Sequence, residues 1–439
     1  MSAANAQTNW PNIPLRYVCE LSPPVSFAGM ADDDEITFLP MEKIKKGRFT
    51  QNIDKLSKYT PSYNAFEEGD ILLAKVTPCF ENGNIAIAEN LVGGRGFGSS
   101  ELFVVRPTKV NQKFLFYYFQ SSGFKQLGEA SMTGAGGLKR VSPDLLRQHH
   151  LPLPSAETQY LIADYLDQEI VRIDSLITEK ERMFALLEEK RVAFISRIVT
   201  HGLDPDTPMK PSDREWFRSI PVHWPVMPIK HLATVGNGST PQVDNPDYWD
   251  TDGFPWLNSS VVNSIHVEQP SRYVTEKALK ECHLPLIAPP AVLVGITGQG
   301  RTRGMAATLA IEATINQHLA FIKPADDRLA VDYLHHLLGH AYSFLRSNSD
   351  GSGSTKGAIT CEQLSNMKIP VPPASEQTAI CSHIQKSLEA TAPLIKELNH
   401  SIALLKERRA ALITAAVTGQ IPLAEMASPA GVSSCASTV

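Results

Sequence analysis

Two polar loops, one in each half of the chain, carry side chains that can form hydrogen bonds with nucleic-acid bases. An arginine can grip guanine with two hydrogen bonds, and an asparagine or glutamine can do the same with adenine. The first loop, which contains Asn82-Gly83, also fits an ordinary hairpin turn, because Asn-Gly pairs are strong turn formers. The candidate base-contacting residues are Lys75, Thr77, Phe80, Asn82 and Asn84 in AKVTPCFENGN, and Gln299, Arg301 and Arg303 in GITGQGRTRG.

Each half also has a glycine-rich loop with cationic side chains. We count Lys139 and Arg140 of MTGAGGLKR, and Lys356 of GSGSTKGAIT, among the candidate DNA-binding residues. The second loop has the glycines of a nucleotide-binding phosphate loop but not their order, which favours a flexible loop. Two polar triplets, residues 99–101 (SSE) and 316–318 (NQH), each precede a predicted strand, and their role stays open between base contact and turn.

No motif in the sequence supplies catalysis, a cofactor site or a metal site. His335 and His336 lie in an apolar helix and lack the His-x-x-x-His spacing with a catalytic glutamate. The Glu-x-Lys spacing at residues 188–190 lies on a long helix, where a solvated charged face is expected. The six cysteines are scattered without a Cys-x-x-Cys pair, which indicates reduced, structural thiols. We therefore predict no catalytic residue, no cofactor and no metal ligand.

The composition is that of a globular protein whose charge does not favour nucleic acid. Of 439 residues, 43% are hydrophobic and 20% are charged, and no apolar run approaches the roughly 20 residues needed to span a bilayer. The N-terminus has neither a basic start nor an apolar stretch, so we expect a cytoplasmic location. A net charge of −5 argues mildly against DNA binding, unless the basic charge is local or partner proteins supply the phosphate contacts.

An internal repeat is the largest feature of the chain. Residues 151–202 recur as residues 369–420 without a gap, so that Gln159 corresponds to Gln377, 218 residues later. Such a duplication predicts two similar globular modules of about 150 residues each.

Both copies of the repeat have the pattern of long amphipathic helices of about 40 residues, or roughly 60 Å. Apolar side chains recur every three to four residues, or at sums of these steps, through residues 162–198 and 380–412. Each helix is expected to end near a glycine, Gly202 or Gly419. The economical arrangement of two matched apolar stripes is an antiparallel pairing with each other.

Outside the repeats, short apolar runs alternate with Gly, Pro and Asn, which is the pattern of β-strands separated by turns. The helical segments KFLFYYFQSSGFKQL and VDYLHHLLGHAYSFLR follow the strands at corresponding places, and a further helix is expected to start at Ser142. We predict an α/β (α+β) fold in which two similar globular modules alternate with two long helices that pair as an antiparallel coiled coil. The predicted segments are module 1 at 12–150, helix 1 at 151–202, a semi-rigid linker at 203–222, module 2 at 223–368, helix 2 at 369–420 and a disordered tail at 421–439.

Taken together, these motifs resemble the specificity subunit of type I restriction-modification enzymes. The resemblance covers almost the whole chain. It rests on GDILLAKVTPCFENGNIAIAENL and GFGSSELFVVRP in module 1, VLVGITGQGRTRGMAATL and ATINQHLAFIKP in module 2, the linker HGLDPDTPMKPS with IPVHW, and the helix segments IPVPPASEQTAI and AAVTGQI. It implies two target recognition domains that each read one half of a bipartite double-stranded DNA sequence, separated by two conserved helices that act as a ruler.

The resemblance also implies a host-defence complex with two further kinds of subunit. Two modification subunits would bind S-adenosylmethionine and methylate adenine, and restriction subunits would use ATP to translocate and cut DNA. This chain would supply sequence choice and assembly, but no chemistry. Because recognition domains vary with their target, the resemblance assigns no role to individual residues and does not give the target sequence.

Two other hypotheses stay open. A single-chain DNA methyltransferase or nuclease with built-in recognition domains would need a glycine loop for S-adenosylmethionine and an Asn/Asp-Pro-Pro-aromatic motif, and Asn245-Pro246-Asp247-Tyr248 lacks the second proline. A structural coiled-coil scaffold that binds no DNA would leave the polar loops of two whole modules without a purpose. A DNA-binding assay separates that scaffold from a recognition subunit.

Overall fold

The computed structural model describes residues 10–45, 47–134, 137–349 and 357–427. The chain divides into two units, of which unit 1 is Met1–Arg182 with Asn399–Val439, and unit 2 is Met183–Leu398. Each unit therefore combines one globular module with part of each long helix.

Two four-stranded sheets form the body of unit 1. The inner sheet is antiparallel and has the order β2-β11-β8-β9, whereas the outer sheet has the order β6-β3-β10-β7, with β3 and β10 parallel. Strand β1 pairs with β12, and β4 with β5. The strands are β1 (Asn12–Pro14), β2 (Cys19–Leu21), β3 (Glu35–Leu39), β4 (Ile44–Lys45), β5 (Arg48–Phe49), β6 (Asn52–Lys55), β7 (Asn64–Glu67), β8 (Ile71–Ala74), β9 (Ile85–Ile87), β10 (Arg95–Gly98), β11 (Leu102–Pro107) and β12 (His150–Pro152).

The apolar run of β8 explains why the inner sheet is covered on both faces. Ile71 and Leu73 belong to the core shared with the helices, whereas Leu72 and Ala74 belong to the core shared with the outer sheet. Because successive side chains of a strand point to opposite faces, a continuous apolar run fills both layers. The strand predicted within GDILLAKVTP is confirmed.

Capping side chains determine where the short helices of unit 1 begin. Asn111, Ser121 and Ser142 each accept a hydrogen bond from a backbone N–H group of the first turn that follows. The predicted start at Ser142 is confirmed, but the single helix predicted over residues 113–127 is wrong, because Ser121 caps a second helix. The helices are α1 (Gln112–Tyr118), α2 (Ser122–Ala130), α3 (Pro143–Gln148) and the first long helix, α4 (Ala156–His201).

Unit 2 repeats this architecture. Its inner sheet has the order β16-β24-β21-β22-β19 and its outer sheet the order β17-β20-β18-β23, with β18 and β23 parallel. The single helix predicted over residues 331–346 is also wrong, because it is interrupted at Ala341. The strands are β13 (Met209–Arg214), β14 (Phe217–Pro221), β15 (Val226–Pro228), β16 (Ala233–Asn237), β17 (Trp249–Asp250), β18 (Phe254–Leu257), β19 (His266–Val267), β20 (Arg272–Val274), β21 (Ala291–Gly295), β22 (Ala306–Leu309), β23 (Thr314–Ile315), β24 (Leu319–Pro324) and β25 (Lys368–Pro370); the helices are α5 (Glu276–Glu281), α6 (Val331–His340), α7 (Tyr342–Ser349) and α8 (Cys361–Asn366).

The second long helix is α9 (Ala374–Val417), and a short helix α10 (Leu423–Ala427) follows it. Both long helices are followed by a glycine with positive φ, +78° at Gly202 and +74° at Gly419, as predicted. Such a residue ends a helix readily, because glycine adopts the left-handed conformation without a steric penalty from a Cβ atom. Helix α9 also contains Pro393, which cannot donate a backbone hydrogen bond.

Within each unit, segments of α4 and α9 pack antiparallel. In unit 1, Asp174 accepts a hydrogen bond from Arg409 at 2.9 Å, and Glu181 accepts one from Lys406 at 2.8 Å, so residue numbers rise along α4 as they fall along α9. In unit 2, Ile198 and Val199 of α4 share a core with Ile380 and Ile384 of α9. The predicted pairing of the two helices is confirmed.

A buried glutamine near the start of each long helix anchors the adjoining module. Gln159 Nε2 donates to the Pro154 carbonyl at 2.8 Å, and its Oε1 accepts from the Asn111 backbone N–H at 2.7 Å. Gln377 makes the equivalent bonds to the Pro372 carbonyl and the Ala330 N–H, both at 2.8 Å. The residue pair that aligns the two repeats is thus a pair of structural anchors.

Two segments differ from their predictions. The predicted linker at 203–222 contains the hairpin β13–β14, because Phe217 and Ile220 are buried in the core of unit 2. The tail predicted from residue 421 begins with α10, because Met426 is buried against the core of unit 1, and residues 428–439 lie outside the described residues. Among the described helices, none combines the length and the apolar character needed to cross a membrane.

Candidate nucleic-acid interface

Three segments of module 1 meet just beyond β8, and we call residues 75–77, 101 and 137–141 junction 1. The Lys75 N–H donates to the Glu101 carbonyl at 3.0 Å, and the Val141 N–H donates to the Lys75 carbonyl at 2.8 Å. The Thr77 hydroxyl donates to the Gly137 carbonyl at 3.0 Å and accepts from the Lys139 N–H at 2.9 Å. Because these bonds involve all three segments, the end of the glycine-rich loop is fixed against the sheet.

An ion pair lies at the surface of junction 1. Arg140 donates from Nε and Nη2 to the Glu101 carboxylate at 2.7–3.1 Å, and the Arg140 side chain is 47% exposed. The hydrogen bonds from Arg140 hold the pKa of Glu101 below its ordinary value, and the charge of Lys75 acts in the same direction. Glu101 is therefore ionised at neutral pH and orients the guanidinium group of Arg140 at the surface.

Module 2 contains an equivalent meeting point, junction 2, formed by residues 296–297, 317–318 and 358–359. The Ile296 N–H donates to the His318 carbonyl at 2.9 Å, and the Ile359 N–H donates to the Ile296 carbonyl at 2.8 Å. His318 Nδ1 and the Thr297 hydroxyl share a hydrogen bond of 2.7 Å. The two junctions share a backbone arrangement, but Glu101 and Arg140 of module 1 correspond to His318 and Ala358 of module 2.

Four of the predicted residues lie together at junction 1, and three other exposed ones lie elsewhere. Junction 1 brings together Lys75, Thr77, Lys139 and Arg140, of which Lys75 and Thr77 are half-buried and the two others exposed. Lys75 Nζ lies 5.6 Å from the centre of the Phe103 ring. The exposed residues Asn82, Gln299 and Arg301 lie outside the two junctions.

Three of the predicted base-contacting residues are buried in this structure. Phe80 is 2% exposed and packs against Gly128 of α2, where an added Cβ atom would lie 2.1 Å from the ring. Asn84 is 7% exposed and Arg303 is 3% exposed. A base edge cannot reach these side chains in this conformation. Lys356 lies outside the described residues.

Two residues of α7 that the sequence interpretation missed position the turn between β21 and β22. Tyr342 donates its hydroxyl hydrogen to the Arg301 carbonyl at 2.9 Å, and Arg346 Nη1 donates to the Gly300 carbonyl at 2.6 Å. Their spacing of four residues on one helical face was the available signal, since such residues are neighbours on a helix surface. Residues Gln299 and Arg301 therefore project from a turn whose backbone is fixed.

The histidines of α6 are packing residues. Burial lowers the pKa of His336 to about 4, and it also lowers the pKa of His335. In the ranges that the structure describes, no three His, Cys, Asp or Glu side chains are placed to hold a metal ion.

A family model described as "Type I restriction modification DNA specificity domain" matches residues 10–182 and 221–404. Two Escherichia coli proteins, the type I restriction enzyme EcoAI and EcoEI specificity subunits, are 35% and 33% identical to this chain over 172 residues, or 38% of this chain. These alignments span only 29% of the length of either relative.

A solved chain, from work on complex assembly and conformational transition of the type I R-M system, has a similar fold. The superposition has a TM-score of 0.69 at 19% sequence identity, and it covers 94% of this chain and 99% of that one. The family match spans both modules and parts of both long helices, and the protein therefore belongs to the family of the type I restriction modification DNA specificity domain.

Proposed function

We propose that this protein is the DNA-specificity subunit of a type I restriction-modification complex. Residues 12–150 and 223–368 act as target recognition domains, and each reads one half of a bipartite double-stranded DNA sequence. Helices α4 and α9 set the spacer between the half-sites and dock the modification subunits. The protein acts in the cytoplasm and performs no catalytic step itself.

The observation that carries this proposal is the pair of junctions. Both modules present a loop junction with the same backbone bonds, yet the polar side chains differ at corresponding positions. Each base pair has its own pattern of hydrogen-bond donors and acceptors. Two modules with the same backbone arrangement therefore need different side chains at corresponding positions to read two different half-sites. A scaffold that binds no DNA would need neither the shared backbone arrangement of the junctions nor their different polar side chains.

The net charge of −5 is compatible with this function if partners neutralise most phosphates. We propose two modification subunits, which bind S-adenosylmethionine and methylate adenine, and restriction subunits, which use ATP to translocate and cut. This chain would then need cationic groups only where bases are read, as at Arg140 and Arg301.

The decisive experiment is coexpression of this chain with its modification subunit in a host without adenine methylation, followed by methylome sequencing. We expect a single bipartite methylated motif, and no methylation when either protein is expressed alone. Methylation, ATPase or cleavage by the pure chain would favour the single-chain enzyme. A complex that forms but neither binds nor methylates DNA would favour the scaffold.

A further inference from the structure

We propose that Leu138 reads a thymine of the first half-site through the 5-methyl group in the major groove. This inference deepens the proposed function and rests on it. Leu138 lies in junction 1 and is 49% exposed. Isolated exposed leucines are common on protein surfaces, so the exposure alone indicates nothing. The backbone that carries this leucine is the informative feature.

The residues on both sides of Leu138 are bonded to Thr77. The Thr77 hydroxyl donates to the Gly137 carbonyl at 3.0 Å and accepts from the Lys139 N–H at 2.9 Å, and the Thr77 N–H donates to the Lys139 carbonyl at 2.9 Å. Gly134 approaches the Leu138 carbonyl so closely that an added Cβ atom would lie 2.5 Å from its oxygen. Leu138 is thus presented on a fixed backbone, and little conformational entropy remains to be lost when it meets a ligand.

The charges beside Leu138 favour nucleic acid as that ligand. Lys139 follows it directly and is exposed, and Arg140 comes next, held at the surface by Glu101. Cations bring the loop to the phosphate backbone, whereas an apolar side chain beside them gains nothing from phosphates or from water. The apolar group that the major groove offers is the thymine methyl.

Partial burial distinguishes this contact from insertion between base pairs. A side chain that inserts between base pairs must place nearly all of its surface within the base stack. About half of the Leu138 surface is already covered by the protein, which leaves one face for contact with a group the size of a methyl. The geometry therefore favours contact with the groove edge over intercalation.

The two modules differ at this position. The bridges Val76–Arg140 and Thr297–Ala358 align the glycine-rich loops, and in this register Lys356 corresponds to Leu138 in sequence. We therefore expect methyl readout of this kind in the half-site of module 1 and not in that of module 2.

Replacement of dT by dU, which removes only the methyl group, tests the inference. The full chain in complex with its modification subunits would be titrated with duplexes carrying dU at one thymine at a time, on either strand of each half-site. Loss of one methyl-sized apolar contact corresponds to roughly a fourfold rise in Kd. We expect that rise at one position of the module 1 half-site with the wild-type chain, and no rise at that position with Leu138→Ala.

Leu127→Ala is the matched control, because Leu127 is 48% exposed in the same module but lies on α2 and is not part of junction 1. This variant should keep the wild-type response to dU. Specific binding with no response to dU anywhere in the first half-site, or with the same response in Leu138→Ala, would overturn the inference and leave the proposed function intact. A failure of the wild-type complex to bind any sequence specifically would overturn both.

Discussion

Two arginines in one turn of module 2 have opposite surroundings. Arg301 is exposed on a turn whose backbone is bonded to Tyr342, whereas Arg303, two residues later, is 3% exposed. The sequence GQGRTRG makes the two look equivalent. Only the fold distinguishes the exposed side chain from the buried one.

Alanine variants of these two arginines should therefore differ in effect, one on base discrimination and the other on stability. We expect Arg301→Ala to keep its Tm and to lose about 1–3 kcal/mol of discrimination at one base pair of the second half-site. We expect Arg303→Ala to lower the free energy of unfolding by roughly 1–3 kcal/mol, because buried groups lose a partner. Thermal unfolding and Kd values on single-base variants of the target separate the two effects. An unchanged Tm with relaxed specificity in Arg303→Ala would contradict this assignment.

Residue types identified candidate loops, but they did not show which side chains within those loops are accessible. Phe80, Asn84 and Arg303 lie in the candidate loops but are buried, because a short loop over a sheet must bury some of its side chains. The importance of Glu101 was left open by the sequence, since its partner Arg140 lies 39 residues away. Contacts of this separation leave no local pattern that periodicity can detect.

Elements with strong periodicity were predicted well. The two long helices, their glycine ends and the strand at β8 follow from spacing and from capping chemistry. The hairpin β13–β14 was missed, because its Pro and Asp residues have the composition of a linker and only tertiary packing reveals Phe217 and Ile220 as core residues. Local sequence thus predicts an element well when the element repeats one simple pattern.

If α4 and α9 set the spacer, an insertion in α4 should lengthen it. Four residues inserted after Glu179 add about 6 Å and rotate the helix by slightly more than one turn, so the apolar stripe roughly keeps its face. At about 3.4 Å per base pair, we expect a spacer longer by one or two pairs with unchanged half-sites.

A two-residue insertion at the same place is the control. It turns the stripe by about 200° and should disrupt assembly with the modification subunits. Methylome sequencing of both variants gives the result. An unchanged spacer in a four-residue variant that assembles normally would contradict the hypothesis that α4 and α9 set the spacer length.

At the scale of the whole molecule, each unit has its own sheets, core and junction. Exchange of residues 12–150 for the matching module of a relative with another target should therefore change one half of the methylated motif and leave the other half and the spacer unchanged. The reciprocal exchange of residues 223–368 should change only the opposite half. Altered specificity in both halves after either exchange would contradict independent reading.

The paired glutamine anchors also bear on how such a protein can evolve. Gln159 and Gln377 bond to main-chain atoms of their modules, and the residues that supply the N–H groups, Asn111 and Ala330, differ in side chain. Mutation of a module changes side chains and leaves the peptide groups in place. If the modules read DNA as proposed, selection for a new target can therefore change the side chains of a module while the bonds that attach it to its helix persist.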